Sequence, residues 1–468
     1  MNVFNALQER GFSTVPSEFY GLIDTWAAWH KGNVKKFHTY RVHNGQKSVI
    51  CKRYTLNMAK KVSEDWANLL MNEKVVITLE GEKEQDFFNR VCRDNNFSVK
   101  VNEMQEMKSA LGTAGFVPRV SGAEVSAESG EVVRGSGSVK IDYVTADSIF
   151  PLSWENGIVK ECAFAGSKVV GKDKFLYLQI HRIGGKGTYI IENLAFRDNG
   201  GNLSEATLEE AGLIGVPNAV DTGSAERQFV IDRLNIANNV DVSLPMGIPA
   251  FANAIDQLKG LDIAYDSYVN EFVLGKKRIM VKPEATKGID GESFFDENDL
   301  TFYILPEDSQ NGDVIKEIDM KLRTAEHSIG IQDALNALSS KCGFGENHYR
   351  FDRGSVATAT QIISENSTMF RTIKKHEIIL EDVLKELCRI ILRLGNLVEG
   401  GLNENVEISI DFDDSIIEDK ETEFNRDARM VSMGVMNAWE FRAKWMNEDE
   451  ETAKAALPSM ESLVSDGV

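Results

Sequence analysis

The sequence predicts an α+β protein. Three observations carry that reading: helix-spaced apolar stripes in the N-terminal third, strand-like alternation over residues 117–196, and two long amphipathic helices in the second half. In the first region, EFYGLIDTWAAWHKG sets Phe19, Ile23, Trp26 and Trp29 three or four apart, and Gly32 supplies the stop. TLNMAKKVSEDWANLLMNE repeats the pattern through Met58, Val62, Trp66, Leu69 and Leu70. The β-branched VVITLE follows, then EKEQDFFNRVCRDN as a further helix. In the second region, VKIDYVTADSIFPLSW, GIVKECAFA, KFLYLQIHRI and GTYIIENLAF read as strands separated by Gly, Asn and Asp clusters. Residues 198–221 are rich in Gly and Asn, and predict an exposed excursion holding one short helix, SEATLEEAG.

Residues 249–274 predict a long helix, with Phe251, Ile255, Leu258, Leu261, Tyr265, Tyr268 and Phe272 stepping by three or four. At about 1.5 Å per residue it would span roughly 39 Å. Asp256, Asp262, Asp266 and Glu271 decorate its other faces, and Lys276, Lys277 and Arg278 sit at the negative end of its dipole. Strands at RIMV and TFYIL and a helix over residues 320–340 come next. CGFGENHYRFDRGSVA has no regular period and predicts a loop. From it springs one uninterrupted helix over residues 358–395, about 57 Å long by the same rise. Thr358 and Gln361 have capping-box spacing at its start, and Gly395 is the expected stop. The tail contains a strand, VEISIDF, the acidic DDSIIEDKETEF, and helices around NRDARMVSMGVM and AWEFRAKWM.

The chain has 468 residues, 42% of them hydrophobic, and a mean hydropathy of −0.25, ordinary for a globular protein of two to four packed units. No stretch approaches the ~20 apolar residues of a bilayer span, and the N-terminus lacks the basic and apolar regions of a secretory signal. The protein is therefore expected to stay where it is made, with no membrane partner. Five scattered cysteines without a C-x-x-C pair predict reduced thiols rather than a zinc site or disulfide framework. A net charge of −20 argues against tight DNA binding by the whole protein, but does not exclude one past which DNA must slide, where attraction would act as a brake.

Motifs for chemistry are sparse. His38 and His43 lack the i,i+4 spacing and the Glu of a metalloprotease helix. GGKGTY, residues 184–189, misses the order of a phosphate loop and predicts a hairpin turn. DGESFFDEND and DFDD lack the calcium-loop order, so solvated loops are expected, with a divalent ion held between subunits as the alternative. No nucleophile–base constellation occurs. Neither an enzymatic activity nor a cofactor is expected.

Several stretches, in order, resemble one family. They are WAAWHKGNVKKFHTYRV, YTLNMAKKVSEDWANLLMNE, IDYVTADSIFPLSWENGIVKECAF, ATATQIISENSTMFRTIKKH and DDSIIEDKETEFNRDARMVSMGVMNAWEFR. Together they resemble the portal proteins of long-tailed double-stranded DNA bacteriophages, especially of Gram-positive hosts. The resemblance implies a ring of about twelve subunits at one capsid vertex. Through it a terminase motor pumps DNA, which later leaves by the same route. It implies a mixed α/β wing (residues 1–244), a first stem helix (245–275), a small α/β clip (276–326) and a second stem helix (327–342). A tunnel loop (343–357), a long wing helix (358–395) and a wing and helical crown region (396–468) complete the portal fold.

On this resemblance Asp256, Asp262, Asp266 and Glu271 would line the stem and repel phosphates. Asn347, His348, Tyr349, Arg350, Arg353 and Ser355 would face DNA from the tunnel loop, with Arg350, Arg353 and His348 touching the backbone without reading sequence. Pairing of those arginines with a neighbouring subunit's carboxylates is the alternative. Lys276, Lys277 and Arg278 would face the motor, while Arg371, Lys374 and Lys375 would make intersubunit or solvent contacts. The implied partners are further copies of the chain, duplex DNA, the terminase large subunit, the major capsid or scaffold protein and head–tail adaptors. The implied location is the capsid portal vertex of the virion, reached by assembly in the host cytoplasm. A capsid or tail-adaptor protein without a conduit is the competing reading. The order long helix, small β-unit, helix, glycine-rich loop, long helix speaks against it.

Overall fold

The structure is a computed structural model that describes residues 3–43, 47–72, 75–122, 136–281, 302–304, 315–318, 321–351, 359–412, 420–446 and 448–457. It divides into a body, Met1–Ile410, and a small C-terminal unit, Asp411–Val468.

The body opens with α1 (Val3–Gln8), α2 (Ser17–His30) and the one-turn α3 (Lys35–His38). The predicted stripe of α2 is its buried face: Phe19, Ile23, Trp26 and Trp29. A two-stranded hairpin, β1 (Thr39–His43) and β2 (Ser48–Lys52), leads to α4 (Met58–Leu70). Then come β3 (Val76–Leu79), α5 (Glu82–Asp94) and α6 (Phe97–Leu111). Sequence reading passed over α6, because its buried face mixes Phe97, Val101 and Met104 with Gln105 and Lys108 and so shows no clean stripe.

The strand block forms two sheets. β4 (Thr113–Ser121) lies between β5 (Ser138–Thr145) and the later β12 (Val230–Arg233) in a three-stranded antiparallel sheet. The larger sheet runs β10-β9-β8-β7-β6, built from β6 (Ile149–Glu155), β7 (Ile158–Val170), β8 (Asp173–Ile183), β9 (Tyr189–Asp198) and β10 (Leu203–Ala206). The short β11 (Ala219–Asp221) also pairs with β9. Residues 184–188 make the predicted hairpin turn, the Gly184 N–H donating to the Thr188 carbonyl at 2.8 Å. β6 is an edge strand whose register shifts at Pro151 and Ser153, where a residue without an N–H is tolerated. One face of this sheet buries Phe150, Leu178, Ile180 and Phe196 beneath Ala6 and Leu7 of α1.

The helix expected at SEATLEEAG is corrected: Ser204 and Glu205 pair with Arg197 and Phe196 as strand β10. Only a single turn follows, where Thr207 and Glu210 bond each other's backbone N–H. Leu208 and Ala211 from that turn close a small core with Phe175 and Ala195. Burial against the sheet outweighs the local helix signal.

The second half holds α7 (Ile255–Leu274), β13 (Arg278–Val281), β14 (Phe302–Ile304), β15 (Ile315–Ile318) and α8 (Thr324–Lys341). α7 starts six residues later than expected, after a 3-10 turn at Ala252–Ala254, so it is about 30 Å rather than 39 Å long. The three strands form one sheet, β13 parallel to β14 and antiparallel to β15. α9 (Ala359–Val398) is the long helix, 40 residues and about 60 Å. It lies across β12, β4 and β5 and packs on α5 and α4.

Gly395 is not its stop. A Cβ there would come within 2.5 Å of the Phe87 ring and 2.6 Å of Leu402, so this glycine admits a close crossing of α5. The chain reverses instead at Gly400 and Gly401, both at positive φ. β16 (Ile408–Asp411) then pairs with β3. The capping-box Thr358 and the DGESFFDEND cluster lie outside the described residues, as do residues 413–419.

The C-terminal unit contains α10 (Lys420–Ser432), α11 (Ala438–Met446) and α12 (Glu450–Ala455). Phe424, Phe441 and Trp445 cluster inside it. The buried Asp427 carboxylate accepts from Lys444 Nζ at 2.8 Å and from the Trp445 indole at 3.3 Å.

Candidate functional site

The element order that the sequence singled out is present as a physical unit. α7 and α8 pack side by side, the three-stranded sheet of β13–β15 is inserted between them, and a glycine-rich turn leaves the end of α8. Where the two helices meet the sheet, Glu271 clasps Arg323: Nε to Oε1 and Nη2 to Oε2, both 3.0 Å, with the Arg323 backbone N–H adding a third bond at 3.2 Å. His327 stands 3.5 Å from the same carboxylate. Such a fork-to-fork pair fixes geometry as well as charge.

Hydrogen bonds from Arg323 are the main cause holding the Glu271 carboxyl down, from 4.5 to about 2. A carboxyl lowered by folding contributes stability above its ordinary range, and loses it as pH falls from there through the folded value. The clasp should therefore loosen between pH 4.5 and about 2. Hydrogen exchange over residues 324–330 should rise across that window in the wild type and change less in Glu271→Gln.

Asp262 and Asp266 require a correction. Read as channel-lining, they are instead buried at the root of the β1–β2 hairpin. Asp262 accepts from Thr55 Oγ1 at 2.9 Å, the Leu56 N–H at 3.0 Å and His38 Nε2 at 3.0 Å. His38 Nδ1 takes the Val34 N–H at 2.8 Å, so Nε2 carries the hydrogen that reaches Asp262. Asp266 accepts from the Tyr54 N–H at 2.9 Å and, at 3.4 Å, from the Tyr40 hydroxyl. One turn apart on α7, the two carboxylates face the same way and pin the hairpin to the helix. Of the four candidate stem acids, only Asp256 projects into solvent, 88% exposed and 2.9 Å from Lys259.

The glycine-rich turn is likewise more enclosed than expected. Gly343 has φ 87°, and a Cβ on it would meet Thr372 at 2.9 Å. Phe344 is buried, stacked on Trp66 of α4 at 4.8 Å and on His348 at 4.4 Å. The Trp66 indole donates to the Cys342 carbonyl at 3.0 Å, and its ring meets His376 of α9 edge-on at 5.1 Å. Trp66 thus ties the start of the turn to both α4 and α9, a role that its place in a helical stripe did not reveal.

Tyr349, a candidate DNA-facing residue, is corrected: its side chain is buried against Phe344, and burial pushes its hydroxyl pKa up. Gln332 of α8 holds the segment's backbone, donating to the Tyr349 carbonyl at 2.9 Å and accepting from the Phe351 N–H at 2.8 Å. Phe351 packs on Tyr265 and Tyr268 of α7. His348 is partly exposed, with Nε2 3.8 Å from Asp65. Burial pushes Asp65 up, but His348, Lys61 and Tyr349 together hold its carboxyl below the usual range. Asn347 adopts a left-handed conformation, φ 63°, and Arg350 is exposed with its Nε 3.3 Å from the Asn347 carbonyl.

Arg353 and Ser355 lie outside the described residues. Lys276 and Lys277 are exposed beside the inserted sheet, whereas Arg278 is half-buried and reaches the Leu274 carbonyl at 3.5 Å. On α9, Lys374 pairs with Glu377 at 3.0 Å and covers the Phe370 ring. Arg371 and Lys375 are exposed.

Two antiparallel rods, an inserted sheet, an aromatic-anchored turn and a 40-residue helix make up this unit. Residues 18–457 match the model of the phage portal protein family, SPP1 Gp6-like, and the chain belongs to that family. It is a phage portal protein, which belongs at a capsid vertex of the virion, and its part in DNA packaging follows from the family. A chain in the neck of the native GTA particle, computed with C12 symmetry, is similar at 10% identity. The match covers 82% of this chain and 88% of that chain, with a TM-score of 0.40. No curated protein matches this sequence. Among the described residues, no helix is long and apolar enough to cross a membrane.

Proposed function

We propose that about twelve copies close into a ring whose stem is the α7–α8 pair, and that duplex DNA passes along its axis without sequence-specific contacts. Residues 276–326 are the clip that meets the terminase large subunit and later the head–tail adaptors, with Lys276 and Lys277 on its exposed base. The remaining body is the wing, which meets the major capsid or scaffold protein, and residues 411–468 include the crown. Assembly takes place in the host cytoplasm. The chain itself is no enzyme; ATP turnover resides in the motor. The observation that carries this reading is the α7–sheet–α8–turn–α9 succession, joined at the Glu271–Arg323 clasp.

Within that frame the DNA-facing part of the loop is Asn347, His348, Arg350, Arg353 and Ser355, and the stem's exposed acid is Asp256. Arg350 and Arg353 touch phosphates in passing. The double charge reversal Arg350→Glu and Arg353→Glu should lower packaged DNA per capsid several-fold while rings still form, since like charge then faces the backbone. Unchanged packaging contradicts the DNA-contact role, and loss of rings assigns the arginines to the neighbouring subunit's carboxylates instead.

A further inference from the structure

The β1–β2 hairpin is electrostatically foreign to the rest of the chain. The hairpin, residues 39–52, carries Arg41, Lys47 and Lys52 and no aspartate or glutamate, within a protein of net charge −20. Among the described residues its two strands pair only with each other, so both outer edges are open. Its surface is also unusually apolar: Val42, Val49 and Tyr54 are exposed, and Ile50 is 63% exposed. An isolated two-stranded hairpin is marginal in water, and open edges with β-branched side chains are templates for association. Yet this one is rooted firmly, through His38, Tyr40, Tyr54, Thr55 and Leu56, on the buried carboxylates of Asp262 and Asp266. A rigidly rooted, basic and apolar arm is built to dock on something.

The complementary surface lies on α8. Glu326, Ile329, Gly330, Asp333 and Ala337 are exposed along one face of that helix, opposite the buried Ile331, Leu335 and Leu338. Ile329, 64% exposed, is flanked by the two acids. Height matters here. The contacts of Glu271 with Arg323 and of Tyr268 with His327 set the antiparallel register of α7 and α8. Asp262 and Asp266 therefore stand level with the segment around Ile329 to Asp333. Rotation about a ring axis preserves height, so surfaces that meet across a ring interface must lie at the same level. The arm leaves the pair from α7, whereas the acidic stripe faces away from it on α8, as a head-to-tail contact requires.

We propose that the β1–β2 hairpin of one copy docks on the Glu326–Ile329–Asp333 stripe of the adjacent copy, as an arm that sets the order of the ring. A nucleic-acid role fits less well, because on the two strands themselves the exposed apolar groups are the β-branched Val42, Val49 and Ile50 rather than stacking aromatics.

The inference rests on the ring reading, and a mixing experiment separates the two. The arm variant carries Arg41→Glu and Lys52→Glu, the stripe variant Glu326→Lys and Asp333→Lys; all four side chains are exposed, so each variant should keep the wild-type circular dichroism and melting curve. Wild-type, each variant alone, and the equimolar mixture are compared by native mass spectrometry and negative-stain microscopy. Each variant alone should lose rings by at least about tenfold, because like charges then meet. The mixture should regain them, since every arm in an alternating ring faces an opposite charge. Failure of the wild type to form rings overturns the ring reading itself. Wild-type rings together with undiminished rings of the arm variant overturn the arm alone, as does loss without recovery in the mixture. An arm variant that assembles normally but binds duplex DNA more weakly assigns the hairpin to nucleic acid, and equally contradicts the proposal.

Discussion

Asp232→Ala should cost the body about 3–5 kcal/mol, the range for stripping the partner from a buried charge. Asp232 on β12 and Lys108 on α6 are both fully buried, with Nζ 3.1 Å from each carboxylate oxygen, and Gln105 donates to the same carboxylate at 2.8 Å. Burial already lowers the Lys108 pKa, against the pull of Asp232. Without that pull it falls further, so the folded variant favours the neutral amine. A lysine depressed by folding gives back stability as pH rises toward its ordinary 10.5, and the deficit of the alanine variant should shrink in that direction. Lys108→Met combined with Asp232→Leu should cost far less than either single change, because no charge is stranded. Urea unfolding followed by tryptophan fluorescence measures all three. A single variant as mild as the double one would contradict the account of this pair as mutually dependent. The consequence reaches the site, because β12, against which α6 packs, is part of the bed on which α9 rests.

Asp262→Ala should release the hairpin from α7. The change strands the Leu56 N–H, the Thr55 hydroxyl and the His38 Nε2–H, each a donor in a buried or partly buried setting. Unsatisfied buried donors cost about 1–3 kcal/mol each before relaxation. Hydrogen exchange over residues 39–52 should rise by one to two orders of magnitude, about what 1.4–2.8 kcal/mol of local opening gives. Asp262→Asn, which retains one acceptor oxygen, should lie between alanine and wild type. Exchange unchanged in the alanine variant would show that Asp266 and the aromatic contacts suffice to hold the arm. If the arm orders the ring, the same variant should also assemble less completely.

The contrast between these residues and those read correctly from the sequence is physical. Strands β5 to β9 were visible because they are rich in β-branched and aromatic residues and are bounded by Gly, Asn and Asp turns. The α7–sheet–α8–turn–α9 order was visible because glycine clusters and apolar stripes mark its boundaries. Asp262 and Asp266 were misread because an acid on a helix face opposite an apolar stripe is, by pattern alone, a solvated acid. Their partners lie more than 200 residues earlier in the chain. Tyr349 was misread for a related reason: glycine and arginine neighbours mark a loop, yet Gln332 and Phe344 fold its first half back onto the helices. Lys108 drew no attention in the sequence, because its partner Asp232 lies 124 residues later on β12. Gly395 was taken as a terminator although its function is to admit the Phe87 ring. For Asp262, Asp266, Lys108 and Gly395 the missing information was a long-range partner, which local periodicity does not encode.

The central claim is that copies of this chain surround a passage with α7 and α8 nearest the axis. Cryo-electron microscopy of the purified protein measures this directly. The account predicts closed rings of about twelve subunits, with a central opening wide enough for a B-form duplex and the α7–α8 pair beside it. A compact monomer under all solution conditions, or rings in which α7 lies on the outer rim, would contradict it.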